Sequence, residues 1–345
     1  PEGPPLLTKQ HLPTLDDVAA LAGVSTATVS RTLNFPQKVR EETRLQVTKA
    51  VRELGYSPHF GARYLASNRT NTVGAVIPTM ENSIFAYALQ SVQEALTQNG
   101  ITLLVATSQY NHAQEEEQIQ SLIARGVDGM VLIGQRRSDA IYEALRLRKL
   151  PYVLMWSHLE NSPHPSVGFD NFSAARAVAA RVLALGHRRI GMIAGHTQGN
   201  DRAAERVAGV RAELATAGLP LEAPYYIETD YSFEASARVA REMLTRAPRP
   251  TALICGNDVI AAGCVQAARA VPLRLPKDLS IVGFDDIDLA QIMDPPLTTV
   301  RVPHRRMGAE TAKMLLQLIR GEAGPRTVQF EAPMVERASL GPAPA

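Results

Sequence analysis

Thr26, Ala27, Ser30 and Arg31 fall at positions i, i+1, i+4 and i+5, a spacing that a helix turns onto one face. Short side chains near a helix start, with an arginine one turn on, suit close approach to base edges in a DNA major groove. Chemistry of other kinds finds little support. The chain has no G-x-S-x-G elbow, no P-loop and no H-E-x-x-H motif. Asp285 and Asp286 are adjacent, and neighbours at a strand end point apart and rarely share one substrate. The eight histidines show no metal spacing. Cys255 and Cys264 lack zinc-site or disulfide-framework spacing and read as buried thiols. No enzyme, metal or cofactor is expected.

The elements that must hold the reading face are legible around it. Residues 14–34 read TLDDVAALAGVSTATVSRTLN, two short helical patterns hinged at Gly23. Asp16 and Asp17 sit where a first helical turn favours acidic charge. Val18, Ala19 and Ala22 recur at helical spacing, and Gly23 can take the positive φ of a tight turn. Ser25 is placed to cap the second helix, with Val29 and Leu33 inward. Residues 39–54, VREETRLQVTKAVREL, predict a third amphipathic helix that ends at Gly55-Tyr56-Ser57-Pro58. Three such helices make a minimal DNA-binding headpiece.

The rest of the chain has another rhythm. With 345 residues, two or three domains are expected. Residues 1–13 are proline-rich without an apolar signal core and read as a disordered lead-in. No apolar run approaches the ~20 residues of a membrane span. Residues 1–70 carry nine Lys/Arg against six Asp/Glu, and the remainder carries 27 against 28. A mildly basic head on a near-neutral body is compatible with a DNA-reading module joined to a sensing module. From Val73 onward, apolar runs VGAVIP, ITLLVATS, GMVLIG, YVLMW, RIGMIAG, YYIETD, TALICG and SIVGFD alternate with helical segments such as 113–125 and 173–185. Such alternation predicts α/β architecture, here two similar open parallel sheets. Pro78, Trp156, Asp230, Asn257 and Asp285 end strands, where ligands of open sheets bind.

DVAALAGVSTATVSRTLN, VREETR and ELGYSP resemble, in order, spacing and residue type, the headpiece of the lactose-repressor (LacI) family of bacterial transcription regulators. The similarity continues to about residue 337. It implies a helix-turn-helix headpiece over 14–57, a hinge helix within 58–71, an effector-binding and dimerisation core over 72–337, and a tail over 338–345. The core would be the two-lobed fold of periplasmic sugar-binding proteins. Lobe one covers about 72–169 and 298–330, and lobe two about 170–297, with 297–303 as the last crossing between them. The implied DNA-facing set is Thr14, Ser25, Thr26, Ala27, Thr28, Ser30, Arg31, Asn34, Tyr56 and Arg63. Leu65 matches the hinge leucine that wedges into the minor groove, unstacking bases to bend the duplex.

In the core, Arg206 matches the arginine that clamps the effector, with a planar fork of donors suited to vicinal hydroxyls or a carboxylate. Asp285 matches the carboxylate that accepts from the ligand, Asn257 a donor and acceptor, Tyr231 a stacking aromatic, and Phe85 a contact from the other lobe. Trp156 departs from the pattern, standing where lactose-type members carry an aspartate. His196 and Arg202 lie in a variant loop, 195–205. Residues 166–176 and 292–308 resemble gluconate-operon repressors more than other branches. The effector is therefore expected to be a sugar acid such as gluconate, its carboxylate met by Arg206 with His196 or Arg202. The alternative is a neutral sugar stacked on Trp156. The family implies a cytoplasmic repressor whose operator affinity the effector controls allosterically. GPAPA is no heptad helix, so a homodimer rather than a tetramer is expected. A periplasmic-type sugar-binding protein without a DNA role is the rival class, against which residues 14–54 speak.

Overall fold

The computed structural model describes residues 13–56, 69–158 and 162–344. It forms two compact units, Pro1–Thr70 and Asn71–Ala345.

In the first unit, α1 (Leu15–Ala22), α2 (Thr26–Asn34) and α3 (Glu41–Leu54) enclose a small core of Val18, Ala19, Val29, Val47, Ala50 and Tyr56. Thr14 opens α1 with a capping box: the Asp17 backbone N–H donates to Thr14 Oγ1, and the Thr14 N–H donates to Asp17 Oδ2 at 2.8 Å. Gly23 closes it at φ 64°. The third helix starts two residues later than expected. Pro36 begins a 3-10 turn, Pro36–Lys38, and Val39 leaves it extended. The hinge with Arg63 and Leu65 lies outside the described residues, as does the Asn34 side chain.

In the second unit, β1 (Thr72–Ile77), β2 (Thr102–Thr107), β3 (Gly129–Ile133), β4 (Tyr152–Met155), β5 (Ser166–Gly168) and β11 (Thr327–Gln329) form a parallel sheet in the order β11-β5-β4-β3-β1-β2. A second parallel sheet has the order β7-β6-β8-β9, from β6 (Ile190–Gly195), β7 (Tyr226–Thr229), β8 (Ala252–Cys255) and β9 (Ser280–Val282). A short ribbon pairs β10 (Thr299–Val300) with β12 (Met334–Val335). All eight apolar runs form strands. The strands not read from the sequence, β5, β10, β11 and β12, span two or three residues and carry no periodic signal of their own.

Six helices that matter for packing come in pairs: α4 (Ser83–Gln98) with α12 (His304–Arg320), α7 (Asn171–Ala184) with α8 (Asp201–Thr216), and α9 (Phe233–Thr245) with α10 (Asp258–Ala270). Each pair closes through one glycine. A Cβ on Gly308 would stand 2.2 Å from the Ala88 carbonyl oxygen, one on Gly209 2.2 Å from that of Phe172, and one on Gly263 2.7 Å from that of Phe233. The chain end docks rather than trails. Ser339 is fully buried, its Oγ donating to the Ile281 carbonyl at 2.6 Å. Buried His187 bridges Thr251 Oγ1 at 2.9 Å and the Gly341 carbonyl at 3.0 Å. No helix among the described residues is long and apolar enough to cross a membrane, and no cluster among them could hold a metal ion.

Gly209→Ala is expected to destabilise the body by ~1–3 kcal/mol, because the new methyl meets backbone that cannot swing aside. Urea unfolding checks this, and an unchanged midpoint would show that α7 and α8 can part freely.

Candidate functional site

Where the two sheets face each other at the carboxyl ends of their strands, one pocket gathers Asn82, Ile84, Phe85, Tyr110 and Trp156 from the first and Asn200, Arg202, Arg206, Tyr231, Asn257 and Asp285 from the second. Seven of the eight residues nominated from the sequence are there. His196 is not. It is exposed, with Nε2 3.1 Å from Asp230 Oδ1 and Nδ1 3.8 Å from Glu228 Oε2. The strand-to-helix loop carries it outward toward those carboxylates, so its role in the cleft is withdrawn.

Arg206 is the centre. It is buried on α8, with hydrogen bonds from two of its nitrogens and a carboxylate near the third. Nε donates to Asn171 Oδ1 at 2.9 Å, Nη1 to the Gly256 carbonyl at 2.8 Å, and Nη2 lies 3.6 Å from Asp285 Oδ1. Its flat face lies 3.7 Å from the Phe284 ring centroid, a cation–π geometry. Asp285 has φ 109°, a conformation costly for a residue with a Cβ and commonest at functional sites. Burial pushes its carboxyl up to about 6, against the opposing pull of Arg206 and Arg202. Oδ1 accepts no hydrogen bond from a described residue. The Asp285 carbonyl meets His304 Nε2 at 3.2 Å, and burial lowers His304 to about 4.

Aromatic rings line the opposite wall. Phe85 and Trp156 meet edge to face at 5.2 Å, and Tyr110 approaches Tyr231 across the cleft at 5.3 Å. Trp156 sits at φ 63° just past β4, and its buried Nε1 has no partner among the described residues. Arg202 pairs with Asp201 at 2.7 Å, while Asp201 Oδ2 accepts from the Gln135 backbone N–H of the other lobe. The free space is about 20 Å³, room for roughly one water. A ligand of sugar size therefore enters only when the walls separate.

Sequence reasoning missed Tyr110, Asn82, Asn200 and Asn171. Two of the asparagines had a usable signal. Asn82, Asn200 and Asn257 each follow a strand and cap the next helix by accepting from its first-turn N–H groups. Asn171 is fully buried, holding Arg206 with Oδ1 and donating to the Trp156 carbonyl at 2.9 Å. Tyr110 had no such signal.

In the headpiece, Ala27 and Arg31 of α2 are exposed, and Thr26 and Ser30 are half-buried. Ser25 caps α2, accepting from the Thr28 N–H at 3.2 Å, and its hydroxyl bonds that of Thr28 at 2.9 Å. The hydroxyls of Thr14, Ser25 and Thr28 thus serve helix starts. Tyr56 is only 7% exposed. Its ring fills the headpiece core because Gly55, at φ 64°, folds the chain back under α3. The Tyr56 ring, expected to face DNA, thus packs inward instead.

The pH dependence of Asp285 follows from its raised value. The folded state holds this proton more tightly than the unfolded chain. The resulting stability is fully present below the ordinary value of 3.8 and is lost as pH rises through about 6. The stability of Asp285→Asn relative to the parent should therefore climb between those values. Melting curves across that range check it, and a constant difference would contradict the buried carboxyl.

Residues 14–59 match the family described as bacterial regulatory proteins, lacI family, and residues 179–340 match a periplasmic binding protein-like domain. The chain is 36% identical over 313 residues to the HTH-type transcriptional repressor CytR of Escherichia coli (strain K12), covering 90% of each. It superposes on the lac repressor dimer bound to operator and the anti-inducer ONPF with a TM-score of 0.81 and 27% identity, covering 94% of this chain and 98% of that one. It superposes on the transcriptional regulator CelR–cellobiose complex with a TM-score of 0.69 and 32% identity, covering 95% and 100%. The special closeness to gluconate-operon repressors is not among these findings. With a helix-turn-helix head, two facing parallel sheets and relatives matched along nearly their whole length, the chain belongs to the LacI family and is a DNA-binding transcriptional repressor rather than an enzyme.

Proposed function

We propose that the cleft takes a neutral, hydroxyl-bearing ring, a sugar or glycoside, and that this effector sets operator affinity. The observation that carries this reading is the charge balance of the cleft. Arg206 already faces Asp285 and Arg202 already holds Asp201. A sugar acid would bring a second carboxylate to a guanidinium that has one, with His196 absent from the cleft. A sugar hydroxyl can instead donate to Asp285 Oδ1 and accept from Trp156 Nε1, buried atoms of the lining that have no hydrogen-bond partner among the described residues. The rings of Phe85, Trp156, Tyr110 and Tyr231 suit the apolar face of a pyranose or a flat aglycone. The cellobiose complex of CelR supports the sugar class.

Separation of the walls couples the site to the head. Opening must break the Asp201–Gln135 bond between lobes. On the family's pattern a homodimer presents two heads to paired half-sites, and the proposed rotation of the lobes weakens their joint grip on DNA. The coupling between effector and operator sites is typically ~1–3 kcal/mol.

Two measurements test this reading. Calorimetry with glucose and cellobiose, against gluconate and cellobionate, should show binding of a neutral member and weaker binding of its acid. Tighter binding of the acid would replace the neutral-sugar reading with the sugar-acid one. On operator DNA selected from a random-sequence pool, Arg31→Ala should weaken binding by ~1–3 kcal/mol and relax preference at one base pair per half-site. Unchanged affinity and preference would move the reading face elsewhere.

A further inference from the structure

Asp285 stands at positive φ on a short loop, and one buried side chain behind it bonds both the end of that loop and the strand beside it. Asp258 is the first residue of α10 and is 1% exposed. Its Oδ2 accepts from the Ile287 N–H at 2.9 Å, and its Oδ1 from the Thr299 hydroxyl at 2.5 Å. Its own N–H donates to the Phe284 carbonyl at 2.9 Å. A Cβ on Gly283 would stand 2.2 Å from Oδ1, so the loop begins with a residue that leaves the carboxyl room. The loop 283–287 therefore wraps around this group, with Asp285 at φ 109° and Asp286 at φ 53° on its crest. Thr299 belongs to the strand crossing back between the lobes, and the Asp285 N–H donates to the Val300 carbonyl of the same strand at 2.9 Å.

We propose that Asp258 is a positioning residue for the effector site: it fixes Asp285 toward the cleft and ties that loop to the interlobe strand through Thr299. The proposal rests on the reading of Asp285 as an effector contact. Burial, and then the charge of Asp285, push the Asp258 carboxyl well above the ordinary range. A neutral isostere therefore suits the site. Asparagine can accept from the Ile287 N–H and donate to the Thr299 oxygen, whereas alanine leaves both unpartnered.

Trp156 provides a readout that needs no ligand. It is the chain's one tryptophan. Its ring lies 5.9 Å from that of His304, whose Nε2 meets the Asp285 carbonyl. Displacement of Asp285 is therefore felt at the indole. In the full-length protein, Asp258→Ala should red-shift the fluorescence and raise the acrylamide quenching constant about twofold or more, because a locally opened loop admits the quencher. Asp258→Asn should restore the parent signal. Gly283→Ala should act in the same direction as Asp258→Ala, because its methyl displaces the carboxyl, and Thr299→Val should give an intermediate shift. If Asp258→Ala does not fold, the glycine and threonine variants carry the test. Folded variants with the parent's quenching would overturn the proposal, as would an asparagine variant as perturbed as the alanine one. Failure of the site reading would appear elsewhere, as a protein that binds neither the neutral sugars nor their acids.

Discussion

A buried guanidinium must find partners for its donors and a surface for its face, and in this body that requirement organises the cleft. Arg206 meets Asn171, the Gly256 carbonyl, Asp285 and the Phe284 ring. These partners come from three segments at the carboxyl ends of the strands: the start of α7, the end of β8 and the loop after β9. Leaving one out would strand part of a buried charge, a loss typically larger than the pair's net contribution. The arginine therefore ties together α7, β8 and the loop after β9.

The same loops are held from behind by packing. The helix pairs approach closely because a glycine on one helix lies against a carbonyl of its neighbour at Gly308, Gly209 and Gly263. α8, which carries Arg206, is one of those helices. Its pairing with α7 brings Asn171, at the start of α7, within reach of the guanidinium. Helix packing and polar satisfaction thus support one geometry, the agreement between levels that marks a well-specified fold.

Charge balance underlies the proposed preference of the cleft for a neutral ligand. Each arginine of the lining has a carboxylate beside it, while Asp285 Oδ1 and Trp156 Nε1 remain without hydrogen-bond partners among the described residues. Buried polar atoms of this kind are costly unless something completes them. The headpiece follows the same economy of hydroxyls: Thr14 and Ser25 cap helices, which leaves Ala27 and Arg31 to define the exposed face of α2.

The sequence by itself determined the headpiece, the alternation of strands and helices and most of the cleft. Its signals are local: helix caps, a glycine hinge, apolar runs of strand length and motifs of fixed spacing. Resemblance to the family's effector cleft nominated Arg206, Asp285, Asn257, Tyr231 and Phe85, with Trp156 and Arg202 as departures from its pattern, and the strand-end positions of Asn257, Asp285 and Trp156 agreed with it. Only the tertiary structure decided which way each loop turned. His196 and Arg202 are six residues apart, yet one, in the loop before α8, faces outward and the other, in the first turn of α8, lines the cleft. Tyr56 reads as a surface tyrosine until the left-handed Gly55 folds it beneath α3. Asn171 and Tyr110 entered the site through partners more than thirty residues away in the chain, Arg206 and Tyr231, and no local pattern encodes that distance. The pairing of Arg206 with Asp285 is of the same kind. Sequence offers a cation and an anion; only the packed interior shows that each already has the other.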